Sequence, residues 1–372
     1  MTVDHVNRDY FLHLDFPREV PKADRFPIQG WVISQFPVAE IWLEGQGQRI
    51  VLAKVRRLDV AETYPNYMHA VGFAGEAEIS VLRGNRLSIG LGKAGGELLH
   101  DHLFKSPYPL SDEQKQAKLQ RLSPFLACPN CREPLLPRGG PLPGKIACRT
   151  CGKSYPFNGE HVDFLDAELR SQFKIKDTGN VSANDYDADP SAVSLIRRFP
   201  DGLILDCGAG RRDSDYPNVI NYEIVGYPST DVLGVAERLP FVDNTFDAAF
   251  SFAVLEHVSD PFTSAKELAR VLKPGGVLYC VVPFLQPVHG YPNHFYNMTA
   301  QGLRNLFDEQ FEVKEIGVPQ TGLPIYALTW ILNSWSSGLK PKAREQFLNL
   351  RIADLLGNPA SYLAEEFVSG LS

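Results

Sequence analysis

Two cysteine pairs constrain this chain more than any other feature. Cys128 and Cys131 form one C-x2-C, Cys148 and Cys151 form a second, and 16 residues lie between them. Each pair fits a tight knuckle whose backbone N–H groups point at the sulfurs. Two knuckles brought together offer four thiolates in a tetrahedron, which suits Zn²⁺. All four ligands are cysteine, so such a site is closed and structural rather than catalytic. The alternative, a pair of disulfides, is opposed by the doubled knuckle and by the reduced thiols of a cytosolic protein. Cys207 and Cys280 stand in apolar stretches and read as core residues.

The cysteine module, taken as 124–166, divides the chain. The 372 residues exceed one ordinary domain, and the 44% hydrophobic content is that of a soluble globular protein. Before the module, residues 1–108 carry "IQGWVIS", "VAEIWLEG", "RIVLAKV", "AEISVL" and "RLSIGLG", short runs separated by Gly, Pro or Asn. They predict an all-β sandwich with Trp31 and Trp42 in its core. A polar linker with helical character, "SDEQKQAKLQRLSPF", follows, and 167–189 reads as a loop.

From about 190 to 330 strand and helix patterns alternate, which predicts a mostly parallel sheet covered by helices. Asp189–Pro190 and Asp260–Pro261 each place an N-cap before a proline at the first helical position. Gly275 is expected to close the second of these helices. The tail, 331–372, is amphipathic and helical. No run of about 18 apolar residues lacks charges or turn residues, so no membrane span is expected. The acid-bearing N-terminus does not read as a signal peptide, which points to the cytoplasm. A net charge of −7 argues against a general binder of nucleic acid or anionic membrane.

Within the α/β region, "LILDCGAGRRDSD" runs an apolar strand into Asp206, Gly208 and Gly210. In a doubly wound sheet, ligands bind at the carboxyl ends of the strands, near this first turn. A second strand, "NVINYEI", ends in Glu223, 17 residues after Asp206, where a carboxylate can accept hydrogen bonds from both hydroxyls of a ribose. "LPFVDNTFDAAFSFAVLEHVSD" and "ELARVLKPGG" follow.

These stretches resemble class I S-adenosylmethionine-dependent methyltransferases of the quinone-biosynthesis-like subgroup, over about 200–310. The resemblance implies that Asp206, Gly208 and Gly210 border the methionine part of S-adenosyl-L-methionine and that Glu223 binds its ribose. Leu239, Pro240 and Phe241 would wall the adenine, and Ser251 to Ala253 would face the methyl group. "CPNC…CRTCGKSYPFNGEHVDFL" resembles the zinc ribbons that partner methyltransferases. The N-terminal part resembles β-sandwich modules of polysaccharide-assembly enzymes. The expected fold is therefore α/β: a Rossmann-like doubly wound methyltransferase sheet at 180–330, plus a zinc ribbon and an N-terminal all-β sandwich.

Three departures stand out. Arg212 replaces the last glycine of the loop, and Val235 stands where many relatives have an adenine-contacting Asp. The connection from Glu223 to Asp231 is shorter than the about 10–12 residues a full crossover needs. The first half of the sheet is thus trimmed, and the zinc module or the tail is expected to cover it.

For acid–base work the candidates are His289 and His294, which bracket Tyr291, with Tyr296 following, and His257 in "LEHV". Imidazole suits proton removal near neutral pH. No Asn-Pro-Pro-Tyr-like stretch and no Pro-Cys nucleophile pair is present, which lowers the case for nucleic acid bases. The expected activity is methyl transfer to a small-molecule or glycan-type (including lipid-linked) acceptor, at oxygen. The alternatives are an RNA or protein methyltransferase guided by the ribbon, and a non-catalytic assembly factor with a vestigial cofactor pocket.

Overall fold

Period-two alternation of apolar residues builds the N-terminal part. The computed structural model describes residues 10–17, 21, 23–45, 48–82, 86–104, 110–137, 142–173, 186, 189–212, 215–290, 293–319 and 322–369. The strands are β1 (Tyr10–Phe16), β2 (Arg25–Ser34), β3 (Glu40–Gly45), β4 (Gln48–Val51), β5 (Ala53–Val55), β6 (His69–Glu78), β7 (Arg86–Lys93) and β8 (Gly96–Leu103), with helix α1 (Leu58–Thr63) before β6. They form two antiparallel four-stranded sheets, ordered β1-β2-β6-β5 and β4-β3-β7-β8. Leu12, Ile28, Val32 and Phe73 from the first sheet share one core with Ile41, Leu43, Ile89 and Leu91 from the second.

The two tryptophans do not sit in that shared core. Trp31 packs with Ile33 and Val60 of α1. Trp42 lies on the opposite face of β3 from Ile41 and Leu43, with the Arg49 guanidinium 3.5 Å over its ring. "RIVLAKV" is not one strand, because β4 and β5 pair in different sheets. In "AEISVL" the strand ends at Glu78, and Ile79–Val81 make a 3₁₀ turn.

The chain forms two compact units, Met1–Phe252 with Glu267–Cys280, and Ala253–Lys266 with Val281–Ser372. The rest of the first unit holds α2 (Asp112–Leu122), β9 (Lys145–Ala147), β10 (Ser154–Pro156), β11 (Val162–Asp163), α3 (Ala167–Gln172), α4 (Pro190–Arg198), β12 (Ile204–Cys207), β13 (Val219–Glu223), β14 (Val232–Leu233) and β15 (Phe246–Phe252). Helix α5 (Pro261–Val271) and β16 (Leu272–Val281) follow. A six-stranded sheet runs β11-β14-β13-β12-β15-β16, and the pairings from β11 to β15 are parallel. Strand order reverses between β13-β12 and β12-β15, which makes the carboxyl end of β12 the topological switch point. Helix α4, capped by Asp189, packs Ala192 and Ile196 on Ile204, Val219 and Phe250.

Among the described residues no helix joins β12 to β13 or β13 to β14. The amino ends of these strands are closed by α2, which the sequence presents as a linker. Its Ser111–Gln114 capping box starts the helix. Lys118 Nζ donates to both oxygens of Asp215, at 2.9 and 2.8 Å, and stands 2.6 Å from Asp231. Lys115 donates to Asp231 and to the Thr230 carbonyl, each at 2.7 Å. Arg121 donates to the carbonyls of Asp201, Gly202 and Pro217. Burial disfavours the Lys118 ammonium, but the two aspartates outweigh it and raise its pKa. Asp231 is held below the usual carboxylate value: burial opposes, and Lys118 and Lys115 prevail.

The cysteine module contributes at the sheet's edge rather than over its face. Val162 pairs with Val232 and Asp163 with Leu233, so β11 is the edge strand. Part of the stretch expected to be a loop is helix α3, capped by Asp166. Residues 174–185, in the rest of that stretch, lie outside the described residues, as do 1–9. Helix α5 ends at Val271, and Gly275 takes φ +79° four residues later inside β16, so it does not close the helix directly.

The second unit adds α6 (Ala300–Phe307), α7 (Pro324–Ser337), α8 (Pro341–Leu348), α9 (Ile352–Leu355) and α10 (Glu366–Ser369). The tail helices thus begin at Pro324 rather than 331, and Leu339, Ala343, Phe347 and Phe367 form their small core. Among the described residues no helix is long and apolar enough to cross a membrane.

Replacing Lys118 by Met leaves Asp215 and part of Asp231 buried without their cation. Urea unfolding should show a loss of about 3–5 kcal/mol; a change within experimental error would refute this closure.

Candidate functional site

The glycine turn is built by its backbone. Gly208 and Gly210 take φ of +77° and +64°, where a side chain would be strained. The N–H groups of Gly208 and Ala209 donate to the Tyr222 carbonyl, at 2.9 and 3.1 Å, which folds the turn back over the end of β13. The Gly210 N–H then donates to Glu223 Oε2 at 2.7 Å. Glu223 Oε1 accepts from the N–H groups of Ile224, at 2.7 Å, and Val225, at 3.4 Å. Burial raises the Glu223 pKa, and these N–H groups pull it the other way.

Asp206 is fully buried at the end of β12. Its Oδ2 accepts from the Tyr186 hydroxyl and from Arg212 Nη2, the latter at 2.7 Å. Its Oδ1 has no hydrogen-bond partner among the described residues. The Arg212 guanidinium lies 4.0 Å from the Tyr186 ring centroid. Burial lowers the Arg212 pKa, but Asp206 and Tyr186 outweigh it and leave it above the ordinary value. Position 212 is not left-handed, so the backbone does not demand glycine there. The arginine turns inward as the counter-ion of Asp206.

The other departure has a packing reason. Val235 belongs to an apolar cluster with Leu165 and Leu233, against which Leu169, Phe173 and Ile224 pack. An aspartate there would be buried without a partner. Leu239 and Phe241 are fully buried. The Leu239 N–H donates to Glu267, the Pro240 carbonyl accepts from Ala127, and Phe241 bridges Leu126 and packs on Tyr222 and Phe246. The "LPF" segment is therefore strapped to the start of the cysteine module. Ser251 is fully buried in β15, and its Oγ has no partner among the described residues.

The two cysteine knuckles have the same construction. Arg132 N–H donates to Cys128 O, and Gly152 N–H donates to Cys148 O, with Arg132 at φ +66° and Gly152 at +73°. Cys128 Sγ is 3.5 Å from Cys151 Sγ, and Cys131 Sγ is 3.4 Å from Cys148 Sγ. All four sulfurs lie within 4.8 Å of one another. No disulfide joins them.

In the second unit, three histidines meet. Ring centroids lie 5.3 Å apart for His257 and His289, 5.6 Å for His257 and His294, and 4.4 Å for His289 and His294. His257 Nδ1 donates to the Asn293 carbonyl at 2.7 Å, and His289 Nδ1 donates to the Pro287 carbonyl at 2.8 Å. A carbonyl only accepts, so each ring carries its proton on Nδ1 and keeps a lone pair on Nε2. His294 is engaged on both sides. Its Nδ1 accepts from the His289 N–H, and its Nε2 donates toward Tyr296 O and Asn297 Oδ1. Tyr291 lies outside the described residues, and the Tyr296 hydroxyl donates to the Ser259 carbonyl.

Beside them is a residue the sequence reading passed over. Glu256 is fully buried, neither carboxylate oxygen has a hydrogen-bond partner among the described residues, and burial pushes its pKa up to about 7. The only signal was its place next to His257. Tyr186 was also missed, because nothing in its polar surroundings marks it as buried.

Residues 216–280 match the family model described as "Methyltransferase domain". The match takes in Glu223, Leu239 to Phe241, Ser251 and His257, and stops short of the glycine turn on one side and His289 and His294 on the other. The chain is 43% identical over 63 residues to an uncharacterized methyltransferase of Schizosaccharomyces pombe, covering 17% of this chain and 23% of that protein. It is 39% identical over 72 residues to demethylmenaquinone methyltransferase of Bacillus pumilus, covering 19% and 31%. The longest alignment of the three is to an uncharacterized 37.1 kDa transposon protein of Streptomyces fradiae, 29% identical over 227 residues, covering 56% and 60%. The chain spans less than two thirds of each of these relatives.

Truncating Arg212 to Ala should cost about 3–5 kcal/mol in urea unfolding, since it strands Asp206 as a buried charge. If the loss stays near zero, the Asp206–Arg212 pair is not the turn's internal support.

Proposed function

We propose that the chain transfers the methyl group of S-adenosyl-L-methionine to oxygen of a small-molecule or glycan-type acceptor, in the cytoplasm. The observation that carries this reading is the methyltransferase-domain match over 216–280, whose first strand ends in Glu223 against a left-handed glycine turn. The donor set fits this cofactor. Glu223 Oε2 accepts one N–H and keeps capacity for a ribose hydroxyl, and Asp206 Oδ1 is a buried acceptor without a partner among the described residues. Gly208 and Gly210 allow close backbone approach. Leu239, Pro240 and Phe241 act from behind, as the packed support of the adenine side, and Ser251 stands at the end of β15.

S-adenosyl-L-methionine supplies an already activated methyl group, so the protein's task is to orient the acceptor and exclude water. His257 and His289 each offer an Nε2 lone pair that can take a hydroxyl proton. His294, with both nitrogens engaged, holds the His289 loop. The relatives named for demethylmenaquinone methylation support a small acceptor. The cysteine module, joined to the sheet through β11, is the feature that favours the second reading, an RNA or protein acceptor.

The four cysteines would hold one zinc ion. Zinc–sulfur bonds of about 2.3 Å place tetrahedral thiolates about 3.8 Å apart, close to the separations found. The domains are then a β module at 1–108, a zinc ribbon at 124–166, the methyltransferase domain at 180–330 and the helical tail.

Calorimetry with S-adenosyl-L-methionine should show binding that Glu223→Gln weakens about 10- to 100-fold, the loss of a charged acceptor. No binding by the native chain would favour the non-catalytic assembly factor. Methyl-label transfer to a cell extract should then mark the small-molecule and glycolipid fractions; label confined to RNA or protein would install the second reading. Strong chelation should release one zinc per chain and lower the melting temperature, whereas absence of both zinc and titratable thiols would restore the disulfide alternative.

A further inference from the structure

We propose that Glu256, His257 and His289 form a second metal site, for one divalent first-row transition cation, distinct from the four cysteines. One ligand atom from each residue lies within 4.8 Å of the others. His257 Nε2 is 3.8 Å from Glu256 Oε1. Ligand atoms about 2.0–2.2 Å from a shared ion stand roughly 3–3.5 Å apart, so closing on the ion takes movement on the order of 1 Å.

The orientation of the two rings supports this reading. Each donates Nδ1–H to a backbone carbonyl, of Asn293 and of Pro287, which fixes the tautomer and leaves Nε2 as the ligand atom. Histidines that bind metals are held in this way by a partner on the other nitrogen. Glu256 supplies the charge. A fully buried carboxylate with neither oxygen hydrogen-bonded among the described residues is offset by a proton or a cation, and two imidazole lone pairs beside it supply the further ligands a cation takes. His294 is outside the ligand set because both its nitrogens are engaged.

The backbone keeps the ligands together. The Glu256 carbonyl accepts from the N–H groups of Phe295, at 2.7 Å, and Tyr296, at 3.2 Å, which ties the loop after β15 to the loop after β16. Gly290 has φ +86°, and a Cβ there would stand 2.1 Å from His257 Cε1. Only glycine lets this loop approach the imidazole so closely. Two imidazoles and one carboxylate suit Mn²⁺, Fe²⁺, Co²⁺, Ni²⁺ or Zn²⁺ and leave open positions for an oxygen ligand. With an ion bound, both Nε2 atoms are ligands and take no proton, so their proton-accepting role belongs to the metal-free chain. A part for the ion in activating an acceptor hydroxyl would rest on the methyl-transfer reading; its binding does not.

The test titrates the full chain with manganese(II) alone, a hard ion that thiolates disfavour, read by loss of the free-ion paramagnetic resonance signal. Nickel(II) alone is then titrated by calorimetry. One site should appear, and Glu256→Gln and His289→Ala should each weaken it about tenfold or more. Glu256→Asp, which keeps the carboxylate, should retain more affinity than Glu256→Gln, and circular dichroism without metal establishes that the variants are folded. If the native chain takes up neither ion, or if both variants bind as it does, the proposal is overturned. A chain that binds the ion but not S-adenosyl-L-methionine overturns the methyl-transfer reading alone.

Discussion

Two lysines of one helix and two aspartates from the strand connections hold the α/β part of this protein closed. Parallel strands need crossovers, and crossovers normally supply helices that shield the sheet. Here the described residues of the connections after β12 and β13 contain none, so the strand ends would carry unmet polar groups and bare apolar side chains. Helix α2 answers both needs, with Leu119 and Leu122 buried and Lys115 and Lys118 reaching Asp215 and Asp231. Burying four charges is costly unless every one is paired. Asp231 satisfies that condition twice over, because its Oδ2 also accepts the Asn221 N–H at 2.8 Å.

Much of this architecture was legible in the sequence. Local signals did well where one rule acted alone: the Asp189 cap, and the short β-rich runs that form β2, β3 and β7. The trimmed sheet could be read from connection lengths. What covered it could not, because Lys115 and Lys118 on a polar helix look like a solvated face. Their burial depends on acids about a hundred residues away, and no local pattern encodes such a partner. Trp31 and Trp42 are buried as expected, but away from the core the two sheets share, for a related reason. Alternation tells which residues share a face, but not which face meets the other sheet.

The candidate sites divide in the same way. The cysteine spacing and the order of acid, glycines and second acid are covalent facts, and the chain brings those residues together. Arg212 was visible only as a missing glycine. Its meaning needed the conformation at 212 and the inward turn toward Asp206. Three histidines could be picked out one by one, yet their hydrogen bonds separate His294 from His257 and His289. Glu256 gave almost no signal, since an acid beside a histidine is ordinary until it is found buried.

The elements that shield the sheet precede it in the chain. Helix α2, the knuckles and β11 are all made before the first residue of β12 leaves the ribosome. Domains are built from the N-terminus at roughly 5–20 residues per second, so a prefabricated wall awaits each strand as it emerges. A circular permutation that moved the helix and knuckles behind the sheet would keep every native contact while exposing raw strand ends throughout translation. Chain order, and not only contact energy, is thus part of how this shortened sheet avoids its neighbours.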